Sequence, residues 1–278
     1  MKYVLIFLLV IIVAMIIFFK MPYSKTRTEF NKTIEQKIFM VHKNSNVFTE
    51  DDIKDLPLPV QKYFRRCGYI GKPKMNYIKA EFKNVDFKMS PEKTIKIDYT
   101  QYNFVNQPDR FAFIDSSLYG IPFEGFDSYN DGVGSMKGRI AKVITLFDQR
   151  GDEMDKACLV TFLAECLMIP SVALQDYIVW DEIDETNAKA TINYYGISAS
   201  GIFTFDENGL WQSFKTSDRV ATAMDGTKRV AEWSAIINDY QETDGVLQPR
   251  IVQSIWNYPE GDDIYFNKNQ SELSIIYY

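Results

Sequence analysis

At 278 residues, 46% of them apolar, the chain can bury a sizeable core even after a membrane segment is set aside. A formal net charge of −6 and the lack of any basic run exclude a nucleic-acid surface, which needs clustered Lys and Arg to neutralise phosphates. The 17 Tyr and 20 Phe favour the pleated, half-buried surface of sheets.

Tyr3 to Phe19 (YVLIFLLVIIVAMIIFF) is uninterrupted apolar sequence between Lys2 and Lys20. A bilayer needs about 20 such residues, in a range that begins near 17. The run ends in Phe18-Phe19-Lys20-Met21-Pro22, with no small-x-small cleavage site, so residues 1–21 read as an uncleaved signal anchor, a single pass through the cell membrane. Lys20, Lys25, Arg27, Lys32 and Lys37 follow the segment, and by the positive-inside bias they pull toward a cytoplasmic domain. A short leader before an apolar run most simply serves export, and the expectation adopted is an extracytoplasmic domain.

Residues 22–48 are polar with scattered apolar positions (Phe30, Ile34, Ile38, Phe39, Val41) and read as a stalk helix or linker. Residues 49–278 read as a single β-rich domain. Thr49-Glu50-Asp51-Asp52 has capping-box spacing. In DLPLPVQKYFRRCGY a second helix is expected, with Pro59 in its first turn and Gly68 at its left-handed stop. The period then becomes two: Ile78, Ala80 and Phe82 share one face, while Val85, Phe87 and Met89 share a face of opposite parity. That slip predicts a β-bulge at Asn84-Val85. Lys93 to Tyr99 and Arg110 to Ile114 read as further strands. Asn208-Gly209 is a two-residue hairpin signal, and Asp244-Gly245 and Glu260-Gly261 mark two later turns.

Several chemistries are excluded. The only histidine, His42, falls in the predicted stalk, which leaves the domain without a Ser-His-Asp or Cys-His nucleophile or a His-based zinc site. Cys67, Cys158 and Cys166 form no disulfide framework and read as small buried hydrophobes. Gly132-Val133-Gly134 followed by Gly138 misses dinucleotide-binding spacing, and Tyr129 and Gly138 break the resemblance of Asp127–Gly132 to a calcium loop. Asp181-Glu182-Ile183-Asp184-Glu185 reads as a solvated turn. No catalytic residue, metal or cofactor is therefore assigned.

DKACLVTFLAECLMIP (Asp155 to Pro170) is an apolar helix with one interior carboxylate, Glu165. Asp152 is its expected N-cap, and Pro170 ends it. Glu165 shares its side with Cys158, Thr161, Phe162 and Met168, and three readings compete: a structural ion pair, which leads, a solvent-facing residue, and a cavity-lining functional group. A buried, unpaired carboxylate would cost several kcal/mol or take up a proton, so a partner is expected, with Arg139, Arg219 and Arg229 as candidates.

The run GDEMDKACLVTFLAECLMIPSVALQ, with YIVWDEIDETNAKATINY after it, resembles an uncharacterised bacterial family whose members commonly follow a membrane segment. Its helix is of the Leu-x-Arg-Tyr-Leu-Ala-Glu type, followed by a Pro-x-x-x-Leu step and a Trp-x-x-x-Asp strand. Here Leu163-Ala164-Glu165 matches the helix, Pro170 and Leu174 the step, and Trp180 with Asp184 and Ala188 the strand. LPLPVQKYFRRCG, FTFDENGL, Trp233, Pro249 and Trp256 extend the likeness over Leu56 to Tyr278. The chain departs at Val160-Thr161-Phe162, which lacks the arginine, and at Leu167 and Met168, where an aromatic is usual. The pattern is similar to the curved sheets that carry lipid or lipoprotein cargo in bacterial envelopes.

The expected fold is α+β, mainly β: a strongly curved antiparallel half-barrel packed on one or two helices, after a single N-terminal transmembrane helix. The leading functional reading is a membrane protein, held by residues 3–19, that binds a lipid or other apolar ligand in the curved sheet. Glu165, Trp180, Arg139 and Thr161 are its expected ligand-binding or core residues. A non-binding scaffold or protein-interaction domain is the alternative, and a carboxylate-dependent hydrolase the third.

Overall fold

The computed structural model describes residues 1–41, 46–222 and 227–278. His42 lies outside the described residues.

Helix α1 (Lys2–Lys20) buries none of its residues, and it is long and apolar enough to cross a membrane. Its last turn is held by Lys142, whose Nζ donates to the carbonyls of Phe18 at 3.2 Å, Tyr23 at 3.4 Å and Met21. An ammonium on exposed C-terminal carbonyls satisfies groups that no longer have a helical partner.

Helix α2 (Lys25–Met40) begins at Ser24, whose side chain accepts from Arg27 N at 3.0 Å. This segment, expected to serve as a stalk, lies docked on the sheet. Phe30 and Ile34 are buried with Phe104, Phe111, Phe113 and Phe126 in a separate outer core. Arg27 sits 4.4 Å above the Phe113 ring, and Lys37 pairs with Asp109 at 2.6 Å.

Short helix α3 (Glu50–Ile53) has the expected box: Thr49 N donates to Asp52 Oδ2 at 2.7 Å, and the Thr49 hydroxyl accepts from Asp52 N. Helix α4 (Leu58–Arg66) carries Pro59 in its first turn and is followed by Gly68 at φ 77°. Its start has no local cap. Leu58 N instead donates to Glu182 Oε2 at 2.8 Å, from a strand distant in sequence. Glu182→Ala is expected to cost about 1 kcal/mol, read as a small fall in the urea midpoint with unchanged slope.

The strands are β1 (Tyr77–Ser90), β2 (Lys93–Phe104), β3 (Arg110–Leu118), β4 (Ile121–Asn130), β5 (Val133–Ile140), β6 (Ile144–Gln149), β7 (Ile178–Glu182), β8 (Asn187–Tyr194), β9 (Ile197–Phe205), β10 (Trp211–Thr216), β11 (Val220–Thr222), β12 (Lys228–Val230), β13 (Glu232–Thr243), β14 (Val246–Tyr258), β15 (Gly261–Phe266) and β16 (Leu273–Tyr277). Fourteen form one antiparallel sheet in the order β6-β5-β4-β3-β2-β1-β15-β14-β13-β10-β9-β8-β7, with β16 also on β1. β11 and β12 form a separate pair.

The register slips between Phe82 and Val85, with Asn84 at φ 55°, as the change of parity requires. Asp244 and Gly245, both at positive φ, make a two-residue turn between β13 and β14. The loop at Asn208-Gly209 joins β9 to β10 as expected but is longer than two residues. Asp206 closes it: its backbone N–H donates to Leu210 O, its carbonyl accepts from Gly209 N, and its carboxylate accepts from Leu210 N at 2.8 Å.

Helix α5 (Asp152–Ala164) starts after Gly151 at φ 107°, so Asp152 is its first residue rather than its cap. A 3-10 turn (Cys166–Met168) and short helix α6 (Pro170–Ala173) follow. Helix α5 packs against β4 and β5 near one end of the strand order and against β8 and β9 near the other. One helix can touch both only if the sheet curls around it, so the architecture is a curved antiparallel sheet wrapped on helices. The Tyr195 hydroxyl, reaching Asp131 at 3.3 Å, bridges the same two regions.

Candidate functional site

On the inner face of β2, Tyr99, Gln101 and Asn103 recur at period two, and Gln101 and Asn103 are polar where neighbouring positions are apolar. Asn103 stands opposite Arg110 in β3, Arg110 opposite Tyr129 in β4, and Tyr129 opposite Gly134 in β5. Helix α5 lies across this row. At Gly134 an added Cβ would stand 2.5 Å from Met154 O and 2.9 Å from Cys158 Sγ, so only glycine permits the approach.

That approach delivers Glu165, the residue after α5, onto the row. Its Oε2 accepts from Gln101 Nε2 at 2.7 Å, Asn103 Nδ2 at 2.7 Å and Arg110 Nε at 3.0 Å. Arg110 also donates to Asp127 Oδ2 at 2.7 Å, the Tyr99 hydroxyl at 2.7 Å and Gln101 Oε1 at 3.1 Å. Arg110 is 4% exposed. Burial opposes its charge, and the fields of Glu165, Tyr99 and Asp127 outweigh that cost, so the guanidinium is held more firmly protonated than usual. Burial also pushes the Tyr99 phenol and the Cys158 thiol upward, so neither ionises near neutrality.

Glu165 therefore has the expected cationic partner, and its identity corrects the sequence reading. Arg139, a candidate partner and expected site residue, lies on the outer face and donates to Thr26 Oγ1 of α2 at 3.0 Å. Its parity in β5 is opposite to that of Gly134 and Gly138. Arg229 pairs with Glu260, and Arg219 lies over tryptophan rings. Thr161 donates to Ala157 O at 2.9 Å, one turn back, and does not join the network. Trp180 donates to Ala173 O at 2.9 Å and packs on Phe203, bracing α6 against β9. Missed by sequence reasoning were Arg110, Asp127, Gln101, Asn103 and Tyr99; the legible signal was the Tyr-x-Gln-x-Asn alternation on an apolar face.

Glu165→Gln is expected to cost about 1–3 kcal/mol, because three donors lose a charged acceptor. Thermal unfolding of the full chain reads this directly.

Among the described residues no group of three or more His, Cys, Asp or Glu side chains is arranged to hold a metal ion. Cys67, Cys158 and Cys166 are free and buried. In the five-residue acidic stretch, Asp184 accepts from Thr186 N and Asn187 N at 2.8 Å each, and these bonds hold its carboxyl below the usual range.

The model of a family of unknown function, DUF6544, matches residues 46–268. The chain belongs to the DUF6544 family. The comparison with curated proteins finds no relative of this DUF6544 protein. Among solved structures it is similar to a LolA superfamily protein from Nitrosomonas europaea, at 8% identity and a TM-score of 0.38 over 78% of this chain and 91% of that one.

Helices α4, α5 and α6 fill only part of the inner face. Beyond the Arg110 row, toward the β1–β2, β3–β4 and β5–β6 turns, the inner face carries half-buried Phe87, Met89, Met136, Phe147, Trp256 and Tyr265 against the main core. This is the end where α1 joins: Lys142 lies in the β5–β6 turn, and Ala141 N donates to Pro122 O at the start of β4. Near it, an open cleft of about 400 Å³ lies between the end of α1 and the β3–β4 hairpin.

Proposed function

We propose that this DUF6544 protein is a single-pass membrane protein whose curved sheet binds a lipid or other apolar ligand on the open half of its inner face. The observation that carries the reading is the row of half-buried aromatic and methionine side chains beyond the helical layer, at the end where α1 leaves the domain. Half-buried apolar side chains in a concave surface gain from a ligand that removes their remaining area from water, at roughly 25 cal/mol per Å². Methionines tolerate irregular shapes, which suits flexible acyl chains. The Arg110–Glu165–Asp127 network bounds this region and fixes the helices beside it. In this reading the domain lies on the extracytoplasmic side, and digestion by external protease in spheroplasts is the expected result; complete protection would reverse the topology.

Native mass spectrometry of the full chain, released from membranes in non-ionic detergent, tests the site. A retained ligand of lipid mass is expected in the wild type and its loss in Met89→Asp, with thermal unfolding confirming that the variant is folded. A bare polypeptide mass for the wild type would defeat the proposal.

A further inference from the structure

The open half of the inner face also holds a cation, Arg219, that forms no ion pair among the described residues. Arg219, just before β11, places its guanidinium 4.6 Å from the centroid of Trp233 and 5.6 Å from that of Trp256. Its Nη1 is buried and has no hydrogen-bond partner, and no ion pair to Arg219 occurs among the described residues. A guanidinium has five N–H donors and no means of losing its charge, so an orphaned buried N–H there is a standing cost. Stacking on two indoles offsets part of it, since cations are attracted to ring faces. It does not supply an in-plane acceptor.

Nearby cations are already neutralised. Lys156 pairs with Asp218 at 2.6 Å, Lys228 with Glu153 at 2.8 Å and Arg229 with Glu260. Among the described residues Arg219 is thus a cation without a counter-charge, on an aromatic floor shared with Trp256. Its fork geometry matches a carboxylate, and with no second open cation beside it among the described residues the site suits a monoanion better than a doubly charged phosphate.

We infer that Arg219 is a head-group-recognition residue, and that the ligand of the open inner face is a long-chain amphiphile with a carboxylate head. This rests on the apolar-ligand reading above and adds polarity and direction to it: the carboxylate sits on Arg219 and the chain runs over Trp256, Phe87 and Met89.

The test uses the full chain in non-ionic detergent at alkaline pH, titrated with dibromostearate and separately with its methyl ester, reading tryptophan quenching. The wild type is expected to be quenched saturably by the acid at about tenfold lower concentration than by the ester, a difference of about 1.4 kcal/mol. In Arg219→Gln the acid weakens to the level of the ester and the ester is unchanged; Arg219→Lys retains part of the preference. Equal quenching of the wild type by acid and ester overturns the head-group inference and leaves the apolar site standing. Tighter quenching by a brominated alkyl phosphate overturns the carboxylate assignment. No saturable quenching by any probe removes the apolar site and the inference together. The wild-type comparison needs no variant, so a misfolded substitution does not shield the proposal.

Discussion

Arg110→Leu is expected to destabilise the domain by about 3–5 kcal/mol, the cost of leaving buried carboxylates without their counter-charge. Glu165 and Asp127 have side chains only 17% and 22% exposed, and both accept from this one guanidinium. For a domain of this size the loss corresponds to a fall in Tm of roughly 10 °C. Replacing Arg110, Glu165 and Asp127 together by leucine is expected to recover most of the loss, because no charge is then stranded. A single-variant loss below about 1 kcal/mol would show that the network does not brace the fold.

Gly134→Ala is expected to cost about 3 kcal/mol, at the upper end for overpacking. Gly134 has no positive φ, so the effect is purely one of space. The added methyl meets the Met154 carbonyl and the Cys158 sulfur, and α5 cannot yield there without moving Glu165 off its three donors. Gly138→Ala in the same strand is the comparison: its Cβ meets the ring of Phe147, a half-buried side chain at the rim that can turn aside. Chemical denaturation of both variants gives the ranking. A cost for Gly134→Ala no larger than for Gly138→Ala would mean that α5 does not depend on this close approach.

Both expectations rest on residues that local sequence patterns could not connect. Glu165 could be singled out because a carboxylate amid Phe162, Leu163, Leu167 and Met168 must be satisfied somewhere. Its cation could not be named, because Arg110 lies 55 residues away and reaches Glu165 only after β2 and β3 pair in register and α5 crosses them. Arg139 looked equally suitable in composition, and strand parity sends it to the opposite face. Similarly, scattered Phe30 and Ile34 gave no sign that α2 would dock, because their receiving surface is assembled from Phe111, Phe113 and Phe126 on two strands.

By itself the sequence determined the apolar helix, the period-two strands, the bulge at Asn84, the capping box at Thr49 and the turn at Asp244-Gly245. Each follows from the dihedral and hydrogen-bonding preferences of a few neighbouring residues. Only the tertiary structure decided how far the sheet curls, which arginine neutralises Glu165, where the helical layer stops and which apolar side chains stay half exposed. Those outcomes depend on strand register and on contacts between distant segments, and local preferences do not encode them.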